Sequence, residues 1–185
     1  MKKRGLLCDL DGTLVDTREA NFVSYRDSFV EHGFTLSLAE FESTWGRDSR
    51  DFIPDLLPTA TVAQVQSIRD LKADIYAGNL HLTTLIEPVV AVLRASRADF
   101  HTALVTTAKA PSALSILEHH HLANLFDVIV TGDMLTRSKP DPEAYILAMA
   151  GLGLSADECL AVEDSESGVA SAVAAGLSVL RVVHS

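Results

Sequence analysis

A chain of 185 residues suits one domain, or one domain with a smaller insert. With 48% hydrophobic and 22% charged residues it can bury a real core, which excludes extended disorder. A net charge of −10 with no basic block argues against a nucleic-acid partner, and no apolar run approaches the ~20 residues of a membrane span.

The opening MKKRGLLCDL begins with basic residues, yet its apolar stretch is too short for a secretory leader and Asp9 interrupts it. Arg4–Leu10 is the first of five short apolar runs that predict strands. The others are His101–Thr106, Phe126–Thr131, Cys159–Val162 and Ser178–Val183. They are rich in Val, Ile and Leu without clean alternation, the pattern of strands buried on both faces in a parallel sheet. Cys8 and Cys159 lie in two of these runs and are expected to be buried thiols in a reducing cytoplasm.

Between the first two runs the alternation breaks. From Asp16 to about Leu85 there is no convincing strand. Phe22, Tyr25, Arg26, Phe29 and Val30 predict one helical face, LAEFESTW a second, and ATVAQVQSIRDLKADIYAGNL a third that stops near Gly78-Asn79. Further on, a helix with Val89, Val92 and Leu93 on its apolar face follows Pro88. APSALSILEHHH predicts the next helix, and His119–His121 suit its C-terminus better than a metal, because adjacent helical residues diverge. Pro142 opens another helix, with Asp141 as a candidate cap. SGVASAVAAGL, stopping at Gly176, is the last. Strands alternating with helices predict an α/β class: a Rossmann-like, doubly wound parallel sheet from residues 1–15 and 86–185, with an α-helical cap inserted over 16–85.

In open α/β sheets ligands bind at the carboxyl ends of the strands. Those ends carry Asp9 and Asp11, then Thr106 and Thr107, then the TGDMLTRSKPDP segment with Lys139, then Glu163-Asp164-Ser165. Taken singly, Asp11-Gly12-Thr13 could be turn chemistry, Thr106 a β-branched strand residue, Lys139 a solvated lysine and Asp164 or Ser165 a helix cap. Jointly they place acids, a hydroxyl and a lysine on one rim.

The stretches DLDGTLVDT (Asp9–Thr17), LVTTAK (Leu104–Lys109), SKPDPEAY (Ser138–Tyr145) and VEDSESGVASAVAAGL (Val162–Leu177) resemble, in order and spacing, the motifs of the haloacid dehalogenase superfamily. The chain is most similar to the branch with a helical cap after the first strand, which includes phosphoglycolate phosphatases and β-phosphoglucomutases. The cap matches only in size and helical character, and Pro88-Val89 stands where the family often has Pro-Gly.

The resemblance implies a phosphoric monoester hydrolase. Asp9 would be the nucleophile that forms an aspartyl-phosphate, and Asp11 the general acid and base. Thr106 and Lys139 would hold and neutralise the transferring group. Mg²⁺ would be bound by Asp9, Asp164 and the Asp11 carbonyl, with Glu163 binding directly or through water. Gly12, Thr107, Lys109 and, in the cap, Arg47 of TWGRDSR are the candidate phosphate-binding residues. Ser165 would orient a metal ligand or cap a helix. The expected partner is a small phosphorylated metabolite, not nucleic acid or membrane, and the expected assembly a monomer or weak homodimer. A β-phosphoglucomutase-like sugar phosphomutase and a phospho-accepting receiver-like signalling domain stay open as alternatives. The receiver reading lacks an acid two residues after the phosphorylated Asp and has no insert of this size.

Overall fold

The computed structural model of the chain describes residues 4–184. Lys2 and Lys3, part of the basic start, lie outside the described residues. By backbone proximity the chain divides into two compact units, one of residues 1–16 and 85–185 and the other of 17–84.

The first unit holds a five-stranded parallel sheet. In chain order its strands are β1 (Arg4–Cys8), β4 (Phe100–Val105), β5 (Val128–Val130), β6 (Cys159–Glu163) and β7 (Ser178–Arg181). The chain leaves this unit through the two-residue strand β2 (Val15–Asp16) and returns through β3 (Thr84–Leu85). These are too short to register in the sequence pattern. Across the sheet the order is β5-β4-β1-β6-β7, every pair parallel. Strand order therefore reverses at β1, where a crevice forms at the carboxyl ends of an α/β sheet. Leu6, Leu7 and Cys8 of β1 are all buried, as are Ala103, Leu104 and Val105 of β4. Covering both faces is why these strands read as continuous apolar runs.

The covering helices are α5 (Glu87–Ser96), α6 (Ala110–His119), α7 (Glu143–Leu152) and α8 (Glu166–Ala174). Two of them start with prolines, whose missing N–H costs nothing in a first turn: Pro88 in α5 and Pro111 in α6. Asp141 accepts from the Glu143 N–H at 3.0 Å, just ahead of α7. Gly153 and Gly176 stand at φ +66° and +84°, stopping α7 and α8. Tyr145, Ala148 and Met149 of α7 pack with Leu7, Ala103, Val105 and Ala161 of the sheet. In α5 the buried face is Val90 and Leu93, not Val92, which is 46% exposed. The α/β class expected from the alternation is the fold the chain adopts.

The second unit is helical: α1 (Arg18–Glu31), α2 (Leu38–Ser43), α3 (Ser49–Leu56) and α4 (Val62–Gly78). Ser37 with Glu40, and Thr61 with Gln64, form reciprocal capping boxes that fix where α2 and α4 begin. Phe29, Leu36, Phe41, Phe52, Ile53 and Ile68 form its core, with Phe22 and Tyr25 packed against it. Val30, expected on that apolar face, is 58% exposed, because α1 turns Ser24, Ser28 and Phe29 inward. The short α3 was masked in the sequence by Pro54 within it. Among the described residues no helix is long and apolar enough to cross a membrane.

Candidate active site

The Asp9 N–H donates to the Val162 carbonyl at 3.0 Å, extending the β1–β6 ladder by one bond. That bond brings the end of β1 beside the end of β6. One oxygen from each of Asp9, Glu163 and Asp164 lies within 4.8 Å of the others. All three residues are 9% exposed or less.

Lys139 enters the same pocket. Its Nζ donates to Asp9 Oδ1 at 2.7 Å, to Glu163 Oε1 at 2.5 Å and to the Val105 carbonyl at 2.9 Å. Burial alone would lower the lysine's pKa. The carboxylates of Asp9 and Glu163 outweigh that and hold its pKa well above the usual lysine value. Burial raises the Asp9 pKa well above the usual carboxylate value, repulsion from Glu163 and Asp164 raises it further, and Lys139 offsets only part. Three clustered carboxyl groups share a single ammonium in a largely buried site, so the acids outnumber their counter-charge. An all-oxygen donor set with that deficit fits a hard divalent cation.

Glu163 is fully buried and already engaged by the protein. Its Oε1 accepts from Lys139 and from the Tyr145 hydroxyl at 2.8 Å, and its Oε2 from the Ser165 hydroxyl at 3.2 Å. Ser165 also caps the next helix, since its Oγ accepts from the Gly168 N–H at the start of α8. A Cβ on Gly168 would stand 2.0 Å from the Glu163 carboxylate, so this close approach requires glycine.

Asp164 is held from the loop after β1. Thr13 Oγ1 donates to its Oδ1 at 3.0 Å. Gly12 stands at φ +83°, and a Cβ there would lie 2.3 Å from Asp164 Oδ2. The Gly12 N–H, expected to face a phosphate, is instead taken by the Val15 carbonyl at 2.8 Å, closing the turn. Asp11 is half-buried in this turn and bridges to Val15.

Thr106 is buried just past β4, with its Oγ1 accepting from the Ala108 N–H at 3.0 Å. Thr107 and Lys109 are exposed on the loop leading into α6. Arg47 lies in the helical unit, where it is ion-paired with Asp55. His119 and His120 pack ring edge to ring face at the end of α6, and the acidic cluster found among the described residues contains no histidine.

Sequence reasoning missed Thr13, Tyr145, Gly168 and His184 as parts of this site. The first three lie inside the quoted motif stretches and read there as turn or helix residues. His184 carried no signal. Its Nε2 is 2.6 Å from the Gly12 carbonyl and 3.7 Å from Asp164 Oδ2.

Residues 6–182 match the model of a family described as haloacid dehalogenase-like hydrolase. Hexitol phosphatase A of Escherichia coli strain K12 is 32% identical over 187 residues, spanning 98% of this chain and 84% of that protein. Protein CbbY of Rhodobacter capsulatus is 28% identical over 193 residues, spanning 97% and 85%. The crystal structure of CbbY from Rhodobacter sphaeroides in complex with phosphate superposes with a TM-score of 0.87 at 24% identity, covering 97% of this chain and 86% of that one. At that identity the likeness speaks for the fold.

Proposed function

The chain belongs to the haloacid dehalogenase-like hydrolases and is a hydrolase of phosphoric monoesters, and on that footing we propose a Mg²⁺-dependent phosphatase of small phosphorylated metabolites that works through an aspartyl-phosphate on Asp9. The observation that carries this is the pocket in which Lys139 bridges Asp9 and Glu163 while Asp164 closes the acidic set.

Asp9 attacks phosphorus through a carboxylate oxygen as the ester P–O bond breaks, and Asp11 gives a proton to the leaving oxygen. Asp11 then takes a proton from water, whose oxygen attacks the phosphorus of the aspartyl-phosphate. Inorganic phosphate leaves and Asp9 is restored. Lys139 offsets charge on the nucleophile and on the transferring group. The Thr106 hydroxyl, whose oxygen accepts from the Ala108 N–H, would give its own proton to a phosphoryl oxygen. Thr107 and Lys109, exposed on the same loop, are assigned to the outer phosphate oxygens. Asp9, Asp164 and the Asp11 carbonyl would hold the metal. Glu163, with both oxygens engaged by the protein, acts through Lys139 or a metal-bound water. When bound, Mg²⁺ supplies the positive charge that lets an anionic ester approach a carboxylate. Substrate choice is assigned to the helical unit, with Arg47 as its candidate anion contact. Two free, buried thiols support a reducing cytoplasm as the working compartment.

The likeness to a hexitol phosphatase puts hexose and hexitol phosphates first in a substrate screen, beside phosphoglycolate. Turnover of p-nitrophenyl phosphate with Mg²⁺, lost with excess chelator and lost in Asp9→Asn, is the expected result. Metal-independent turnover, or near-normal turnover in Asp9→Asn, contradicts the reading. Conversion of a sugar 1-phosphate to its 6-phosphate without release of phosphate would make the chain a mutase instead.

A further inference from the structure

We propose that His184 is a positioning residue for this site, fixing the turn that holds Asp164; the inference rests on the metal-dependent reading above. A carbonyl oxygen only accepts, so the 2.6 Å contact between His184 Nε2 and the Gly12 carbonyl requires the proton on Nε2. The segment that carries the ring is itself anchored, because the Val182 N–H donates to the Glu163 carbonyl at 2.7 Å. That bond extends the β6–β7 ladder and brings His184 back over the loop after β1. The side chain is 27% exposed, so most of the ring packs against protein.

The target of the contact matters. The Gly12 carbonyl belongs to the peptide that links Gly12 to Thr13, and Thr13 Oγ1 donates to Asp164 Oδ1 at 3.0 Å. Fixing that peptide plane constrains the backbone from which the Thr13 hydroxyl reaches Asp164. Gly12 backbone lies directly against Asp164 Oδ2, and His184 Nε2 stands 3.7 Å from the same oxygen. Asp164 is therefore enclosed by Thr13, Gly12 and His184. A left-handed Gly12 has wide backbone freedom of its own, and the histidine removes that freedom from outside the turn. Groups that orient a metal ligand in this way typically change metal affinity by about 10–100-fold when removed.

The test uses the full chain with His184→Ala, His184→Phe and His184→Gln. Binding of MnCl₂ is followed by loss of the free-Mn²⁺ electron paramagnetic resonance signal, beside kcat and KM for p-nitrophenyl phosphate. Ala and Phe should weaken Mn²⁺ binding about tenfold and lower kcat, with KM nearly unchanged. Gln, whose amide N–H can donate to the Gly12 carbonyl, should recover most of both. If Ala fails to fold, Phe decides by the same readouts. Mn²⁺ affinity and kcat within twofold of the parent, with or without a lower Tm, would reduce His184 to a segment anchor and overturn the proposal. So would a Gln variant no better than Ala or Phe. Failure of the parent itself to bind Mn²⁺ would overturn the metal-dependent reading, and this inference with it.

Discussion

Lys139 Nζ stands 2.7 Å from Asp9 Oδ1, an ion pair between residues 130 positions apart whose lysine side chain is only 4% exposed. The same ammonium reaches Glu163, so one cation serves two carboxylates that would otherwise repel. Lys139→Met should lower kcat for p-nitrophenyl phosphate by about 10²–10³-fold. It should also destabilise the fold by about 3–5 kcal/mol, because two buried carboxylates lose their counter-charge. Turnover and denaturant unfolding on the same preparation check both. A variant of parental stability would show that the pair is not buried as described.

Asp11→Asn separates the two halves of the proposed reaction. The turn places Asp11 two residues beyond Asp9, with Gly12 at φ +83° swinging the chain between them and the rest of the loop. An amide there can neither protonate the leaving oxygen nor deprotonate water. Steady-state turnover should fall about 10²–10⁴-fold. With an activated ester such as acetyl phosphate, whose leaving group needs no acid, phosphorylated protein should accumulate. Rapid-quench mass measurement reads it directly, and unchanged decay of the intermediate would remove Asp11 from acid–base duty.

Gly12→Ala tests the room left for Asp164. The new Cβ meets a carboxylate oxygen at 2.3 Å and must also adopt a left-handed backbone. A cost of about 1–3 kcal/mol should come with weakened Mg²⁺ dependence of turnover. Gly33→Ala is the control, since its φ is +79° but nothing lies within 4 Å of the added carbon. It should cost about 1 kcal/mol and leave turnover intact.

At the other end of the sheet Asp127 gives a pH signature. A hydrogen bond from Arg97, outweighing partial burial and helped by the Thr102 N–H and His101, lowers its pKa from 3.8 to about 2. The folded state therefore binds this proton less readily than the unfolded chain, so the stabilisation is complete above about pH 4 and is lost as pH falls toward 2. Both side chains of the Arg97–Asp127 pair are about one-third exposed, and screening leaves about 1 kcal/mol. Asp127→Asn should lower Tm at pH 7 and narrow its gap to the parent between pH 4 and 2. A gap constant across that range would contradict the assignment.

The fold was legible because its strands are buried on both faces: Leu6-Leu7-Cys8 and Ala103-Leu104-Val105 carry no polar alternation to confuse them with surface strands. Helix ends were legible where proline or glycine marks them, as at Pro88, Gly153 and Gly176. Helix faces were less so. Val30 and Val92 are apolar, at plausible spacing, yet exposed, because apolar residues lie on both sides of each helix and only the neighbouring elements choose between them. The acids and lysine of the pocket could be named because strand ends are predictable from strands. The groups that hold them could not. Tyr145 reads as one more apolar position of α7, and nothing local links its hydroxyl to Glu163. His184 meets Gly12 across 172 residues, a contact that only the completed sheet creates.

The strand that carries Asp9 sits in the middle of the sheet, with Arg4 paired to Phe100 on one side and Gly5 to Cys159 on the other. A ribosome therefore releases the centre of the sheet first and its two neighbours roughly a hundred and a hundred and fifty residues later. Until then a five-residue strand with Leu6, Leu7 and Cys8 in succession has both backbone edges open to other nascent chains. The geometry that gathers the pocket's carboxylates thus makes early synthesis the period when the sheet's central edges are most open to wrong pairing.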